Sequence, residues 1–153
     1  MLRFEVDALT HPAVIALLNE HLEDMYATSP AESVHALDLS ALQAPEIAFW
    51  SAWEGVELRA TGAIKTLGHG QVELKSMRTV AAVRGQGVGA SMLAHLLEQA
   101  RRAGAAEVLL ETGTEDYFAP ARRLYARHGF VECPPFAAYV EDPNSVFMVL
   151  ALS

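Results

Sequence analysis

Arg84-Gly85-Gln86-Gly87-Val88-Gly89 is the stretch on which the fold turns. It follows a strand-like run, Val72–Val80, and opens a segment in which Val88, Met92, Leu93, Leu96, Leu97 and Ala100 recur at helical spacing. His95, Glu98, Gln99, Arg101 and Arg102 lie largely off that face, and Gly104 ends the helix. Glycine lets a backbone approach a ligand closely, and the unpaired amides of a first helical turn point outward. Strand, glycine turn and helix together form a seat for phosphate or pyrophosphate oxygens, with Arg84 adding positive charge at its rim.

The rest of the chain arranges itself around this turn. Leu2, Phe4 and Val6 alternate with Arg3, Glu5 and Asp7 as in a half-buried strand. Thr10 is placed to cap a helix with Pro12 in its first turn, and Val14, Leu17, Leu18, Leu22 and Met25 carry it to about residue 26. Ser29-Pro30-Ala31-Glu32 has the form of a capping box, which predicts a short helix over 30–36, with a further turn over Asp38–Leu42. Ile47–Trp53, Val56–Leu67 and Val72–Val80 read as three strands joined by tight turns, an antiparallel meander. Trp50 and Trp53, three apart on one strand, should face opposite sides of the sheet. Val108–Leu110 reads as a buried strand, Phe118–His128 as a helix closed by Gly129, and Phe130–Cys133 and Val146–Leu150 as the last strands. The strand–helix–strand unit over 72–110 should run parallel with a right-handed crossover. The order predicts a single α/β domain over residues 1–153, on a mixed sheet.

Three phosphate-binding patterns separate on the residues present. A Walker A loop requires a lysine after its last glycine, and none follows Gly89. The dinucleotide fingerprint requires G-x-G-x-x-G, and here Ser91 lies beyond a G-x-G-x-G. The pattern [QR]-x-x-G-x-[GA] is met in full by Arg84, Gly87 and Gly89. A second signature, Leu124-Tyr125-Ala126-Arg127-His128-Gly129-Phe130, has the form L-Y-x-x-x-G-F. With these two motifs, their spacing and the element order, the chain resembles the GCN5-related N-acetyltransferase (GNAT) superfamily, most strongly over 72–131.

The resemblance implies a mostly antiparallel mixed sheet with flanking helices, bulged and splayed at the fourth strand, and acetyl-CoA (coenzyme A) as cofactor. Met77, Arg78, Thr79 and Val80 would pair with the pantetheine arm, largely through the main chain. Val83, Arg84, Gly85, Gln86, Gly87, Val88, Gly89 and Ala90 would hold the pyrophosphate. Acyl transfer to an amine needs a base for the amine, an acid for the departing thiolate and a donor for the oxyanion, here expected from a backbone amide near Thr79. Glu73 stands where the family often places a glutamate base. Strand alternation, which puts Glu73, Lys75 and Met77 on one face, equally suits a solvent-facing Glu73–Lys75 pair. Glu111, ending the next strand, could take the role of base, bind the amine or satisfy backbone amides near Gly113. Tyr125 resembles the family's general acid, although helical spacing also suits packing of Phe118, Ala121, Leu124 and Tyr125 on the sheet.

The acceptor pocket is expected from 26–36, the meander edge and 134–145, with Tyr26, Glu32, His35, Tyr139 and Asn144 as its polar or amphipathic residues. The lone cysteine, Cys133, has no local histidine to activate it and reads as a small buried hydrophobe. The six histidines and that cysteine form no metal-ligand spacing, so no metal is expected.

Composition agrees with this reading. The 153 residues are 52% hydrophobic and 20% charged, which excludes intrinsic disorder. The net charge is -8, and residues 1–70 hold ten acids against three bases. Such a surface lacks the basic footprint of nucleic-acid binding and suits an amine-bearing partner, a small molecule or a peptide. No run approaches the roughly 18 apolar residues of a membrane span, and one cysteine allows no internal disulfide. The expectation is a cytoplasmic acetyl-CoA-dependent N-acyltransferase acting by direct attack in a ternary complex. Homodimerisation is common in that superfamily, though no segment here points to it. The alternatives are a non-catalytic CoA-binding regulatory protein and an O-acetyltransferase of the same fold.

Overall fold

The structure, a computed structural model, describes residues 1–35 and 37–152. Seven strands form one sheet in the order β1-β2-β3-β4-β5-β7-β6. These are β1 (Arg3–Val6), β2 (Ile47–Glu54), β3 (Glu57–Gly68), β4 (Gln71–Thr79), β5 (Glu107–Gly113), β6 (Val131–Cys133) and β7 (Ser145–Ala151). Strands β2, β3 and β4 make the expected meander, and β1 pairs antiparallel with β2. Only β4 and β5 run parallel, as a strand–helix–strand unit requires. The last strand of the chain, β7, inserts between β5 and β6 and pairs antiparallel with both.

The helices are α1 (Pro12–Thr28), α2 (Leu39–Leu42), α3 (Val88–Arg102) and α4 (Ala119–Arg127). The apolar stripe of α3 packs Met92, Leu93, Leu96, Leu97 and Ala100 on one sheet face, with Trp50, Ile64, Val72 and Leu74 opposite. Gly62 on β3 makes this packing close, because a Cβ there would stand 2.7 Å from Leu96 Cδ1. On the other face α1 sets Val14, Leu17 and Leu18 against Phe49, Trp53 and Ala63. Trp50 and Trp53 thus enter opposite cores, as strand alternation requires.

Two local expectations are corrected. Helix α1 is capped by His11, whose Nδ1 accepts from the Ala13 amide at 3.0 Å, and not by Thr10. Pro12 opens the helix directly, so the extended residue that must precede a proline becomes the cap. The capping box at 29–32 does not form. Ser29 Oγ donates instead to Glu115 Oε2 at 3.1 Å, and only a 3-10 turn, Ala31–Ser33, follows.

A third correction concerns β4. Thr61 pairs with Arg78 but Ala63 with Lys75, so β4 carries one extra residue opposite Gly62. Ser76, at φ 53°, absorbs it. The bulge reverses the alternation beyond it. Met77 therefore packs on the α3 side, against the core of Val72 and Leu74, and does not share a face with Glu73 and Lys75. Arg78 takes that face instead, toward α1.

Candidate active site

Strands β4 and β5 are paired only at Gln71–Glu107, Val72–Val108 and Glu73–Leu109. Past Glu73 they part, and a cavity of about 720 Å³ opens in the gap. Its lining takes in the glycine turn, Tyr125, His35 and Glu111.

At the glycine turn, Gly85 (φ 80°) and Gly87 (φ 83°) hold the left-handed backbone that carries the chain from β4 into α3. Gly87 is the helix cap and supplies no capping side chain. The first intrahelical bond is Ser91 N to Gly87 O at 3.1 Å. The amides of Val88, Gly89 and Ala90 are accordingly left without intrahelical partners. Arg84, Gly85, Gly87, Gly89 and Ala90 border the cavity. Gln86 and Val88 do not line it; Val88 packs against the α3 core, leaving its amide as its contribution. Val83 is buried beneath the turn.

Along β4, Met77 and Thr79 line the cavity. Val80 packs against the opposite core, and its amide is taken by Arg59 O at 2.8 Å. The Arg78 side chain is not free for a ligand. It is buried, donates to Tyr117 Oη at 2.8 Å and to Glu20 Oε1 at 2.5 Å, and also bonds Asp24 Oδ2. That guanidinium beside Asp24 holds the carboxyl below the usual carboxylate range. Arg78 thus ties β4 to α1 and to the segment after β5.

Tyr125 lines the cavity from α4, its ring edge-on to Phe130 with centroids 5.8 Å apart. Its hydroxyl has no hydrogen-bond partner among the described residues, and burial pushes the phenol up to about 12. The phenol therefore keeps its proton, with no acceptor for it among the described residues.

Two hydrogen-bonded carboxylates, Glu73 and Glu111, also line the cavity. Glu73 is 2% exposed, so it is no solvent-facing strand residue. Its Oε2 accepts from Tyr139 Oη at 2.6 Å and from Lys75 Nζ at 3.2 Å. Lys75 also donates to Tyr139 Oη at 2.8 Å and to the His35 carbonyl at 3.3 Å. Glu111 Oε2 accepts from Ser145 Oγ at 2.7 Å and meets His35 Nδ1 at 2.8 Å. Asn144 lines the cavity beside Ser33, whose Oγ donates to Asp142 at 2.6 Å.

Of the acceptor-side expectations, the structure brings His35 and Asn144 to the cavity, and Tyr139 to its carboxylate. Tyr26 is 59% exposed and lies outside, because α1 turns His21 and Met25, four residues apart, toward the cavity and rotates Tyr26 away. Glu32 is exposed on the 3-10 turn, which presents Ser33 inward instead. Cys133 sits on β6 away from the cavity, its thiol pushed up by burial and by Glu107.

Two cavity residues escaped sequence reading. His21 carries a buried Nδ1 with no partner among the described residues, and burial, helped by Arg78, lowers its protonation to about 4. Its spacing to Met25 is the signal that was present. Ser76 Oγ is likewise buried without a partner, at a bulge that no local pattern announces. Among the described residues, no three His, Cys, Asp or Glu are grouped to hold a metal, and no helix is long and apolar enough to cross a membrane.

Known proteins resemble this chain in sequence and in fold. A family model described as the acetyltransferase (GNAT) family matches residues 14–130. The chain is 50% identical over 151 residues to the uncharacterized N-acetyltransferase YsnE of Bacillus subtilis, covering 99% of this chain and 100% of that one. It is 40% identical over 141 residues to the IAA acetyltransferase of Azospirillum brasilense, covering 89% and 88%. Among solved structures, a B. subtilis acetyltransferase in complex with CoA superposes with a TM-score of 0.71 at 18% identity, over the whole of both chains. The motif pair, the splayed sheet and these matches agree that the chain belongs to the acetyltransferase (GNAT) family.

Proposed function

We propose that the protein transfers an acetyl group from acetyl-CoA to a primary amine, with both substrates bound together. The observation that carries this reading is the continuity of one cavity from the free amides of α3, past Tyr125, to the carboxylates of Glu73 and Glu111. The site fits coenzyme A on its own features. Three amides without intrahelical partners, with Arg84 at their rim, suit a pyrophosphate. The unpaired edge of β4 beyond Glu73 suits an amide-bearing arm laid along it.

When bound, acetyl-CoA supplies a thioester activated for attack. The chain's own residues then have separable tasks. The N-terminus of α3 and Arg84 hold the anionic end. The backbone of Met77–Thr79 orients the arm, and an amide there donates to the carbonyl oxygen in this reading. Tyr125 holds the proton that the departing sulfur needs. The polar residues around Glu111 and Glu73 receive the amine and relieve it of a proton. The acidic first seventy residues favour a cationic acceptor.

Calorimetry with acetyl-CoA tests the first half of this reading, using the parent protein beside Gly89→Glu. Saturable binding by the parent and its loss in the variant are expected, because the new carboxylate enters the anion seat. A screen of primary amines, with IAA included because one relative bears that name, then tests transfer through release of free CoA.

A further inference from the structure

Two carboxylates approach the amine end of the cavity, and on each the Oε2 oxygen is already engaged. Glu73 Oε2 already accepts from the Lys75 ammonium and the Tyr139 phenol, and its side chain is 3% exposed. Taking up a proton there would leave Lys75, itself 8% exposed, as a buried cation without its counter-charge. Glu111 Oε2 is engaged by Ser145 and by the His35 ring. An ionised carboxylate can only accept, so the 2.8 Å contact with His35 Nδ1 requires the proton on that nitrogen. The lone pair of a neutral His35 is then on Nε2, which has no partner among the described residues. The side chain is 32% exposed and lines the cavity. A carboxylate that fixes the tautomer and steadies the imidazolium is what turns a histidine into a base.

We infer that His35 is the base that deprotonates the attacking amine, and that Glu111 is the positioning residue that orients it. This rests on the acetyl-transfer reading above. As the N–C bond forms, the amine nitrogen sheds one proton to His35 Nε2. The C–S bond breaks with its electron pair on sulfur, and Tyr125 protonates that sulfur. Water carries the imidazolium proton back to the tyrosinate, so amine and thioester become amide and thiol with no other reactant. Glu73, Lys75 and Tyr139 form the fixed wall against which His35 is held. The His35 ring lies edge-on to Tyr139 at 4.9 Å, and the Lys75 ammonium donates to the His35 carbonyl.

The groups facing His35 set its response to pH. Glu111 touches the ring, and Asp142 lies close enough that the His35 charge helps hold its carboxyl low, behind the larger effects of Ser33 and Asn144. Lys75 opposes them through the backbone side, with Glu73 partly neutralising it. A base must be unprotonated to act, so the acid limb of the rate profile belongs to the His35–Glu111 pair.

The test uses the whole protein, acetyl-CoA and tryptamine, phenethylamine, spermidine, lysine and alanine amide as acceptors, read by CoA release. For the amine turned over best, His35→Ala lowers kcat/KM on the order of 10²-fold or more and erases the acid limb. Added imidazole restores part of the rate. His35→Gln, which keeps the pocket filled, shows the same loss without depending on collapse of the site. Glu111→Gln, which removes the anionic acceptor of the Nδ1 proton, lowers kcat/KM and abolishes the Nδ1 tautomer preference in the ring spectra. Nitrogen-15 spectra of the rings give a reading without turnover, with His35 protonated on Nδ1. A rate within a few-fold of the parent in His35→Ala and His35→Gln, or a neutral ring whose single proton sits on Nε2, overturns the inference and leaves acetyl transfer standing. A parent protein that binds acetyl-CoA but releases no CoA with any of the five amines overturns the transfer reading, and the base assignment falls with it.

Discussion

Tyr139 Oη donates to Glu73 Oε2 at 2.6 Å, across 66 positions of sequence. The contact pins the segment between β6 and β7 to the strand that leads to the glycine turn. Burial and the charge of Glu73 push the Tyr139 phenol upward, so it remains a donor throughout the neutral range. Tyr139→Phe removes this donor and leaves Lys75 as the only partner of that oxygen among the described residues. The expected loss in urea unfolding at neutral pH is about 1.5–3 kcal/mol, the scale of a hydrogen bond to a charged group. Glu73→Gln should cost more, about 3–5 kcal/mol, because a buried ammonium then loses its counter-charge. Equal stability of Tyr139→Phe and the parent would show that the segment is held by its aromatic contacts with His35, Phe136 and Phe147.

His21 makes stability depend on pH in a definite direction. Its protonation is lowered from 6.5 to about 4, chiefly by burial. The unfolded chain therefore binds a proton that the folded chain refuses between these values. The sign follows: stability is complete above about 6.5 and falls as pH drops toward 4. The full difference is at most on the order of 3 kcal/mol. His95, also lowered by burial, adds to the slope. Urea unfolding followed from pH 7 to pH 5 should give a clearly smaller decline in His21→Leu than in the parent. An identical decline would place the proton linkage elsewhere.

Strand alternation, helical periodicity and the two motifs made most of this architecture legible, because each is a local pattern. The meander, the stripe of α3 and the opposite burial of Trp50 and Trp53 were all readable from spacing. What spacing could not carry was the extra residue at Ser76, which moved Met77 to one face and Arg78 to the other. A bulge of this kind is decided by pairing with a neighbouring strand. The same limit hid how the amine end is assembled. Glu73 and Tyr139, or His35 and Glu111, are brought together only by tertiary folding. Single residues were visible as candidates, but their bonding, which decides what each can do, was not.

Two glycines of the phosphate turn should behave differently. Gly87 sits at φ 83° with open space where a Cβ would stand, so Gly87→Ala meets no clash but forces an L residue into a left-handed backbone. The expected cost is about 1–2 kcal/mol. Gly89 is helical, and a Cβ there finds Thr79 Oγ1 at 3.4 Å and Leu124 Cδ2 at 3.6 Å, both ordinary contacts. Gly89→Ala should be neutral or stabilising by up to about 1 kcal/mol, with acetyl-CoA affinity within a few-fold of the parent. Thermal unfolding and calorimetry on the two variants check this order. Destabilisation by Gly89→Ala beyond that by Gly87→Ala would contradict it.

Tyr125→Phe separates binding from chemistry. The ring packs against Phe130, and the hydroxyl has no hydrogen-bond partner among the described residues, so its removal leaves no donor or acceptor stranded. Folding and acetyl-CoA affinity should therefore be nearly unchanged. If the hydroxyl supplies the proton for sulfur, kcat falls on the order of 10²–10⁴-fold while the acceptor KM holds. Because burial raises the phenol to about 12, the parent should show no loss of rate from this group as pH passes 10, the ordinary value for tyrosine. The same shift makes its stability contribution complete below 10 and lost between 10 and about 12. Steady-state kinetics of both proteins from about pH 6 to 11 decide the matter. A phenylalanine variant with parental kcat would assign the sulfur's proton to water and reduce Tyr125 to a wall of the core.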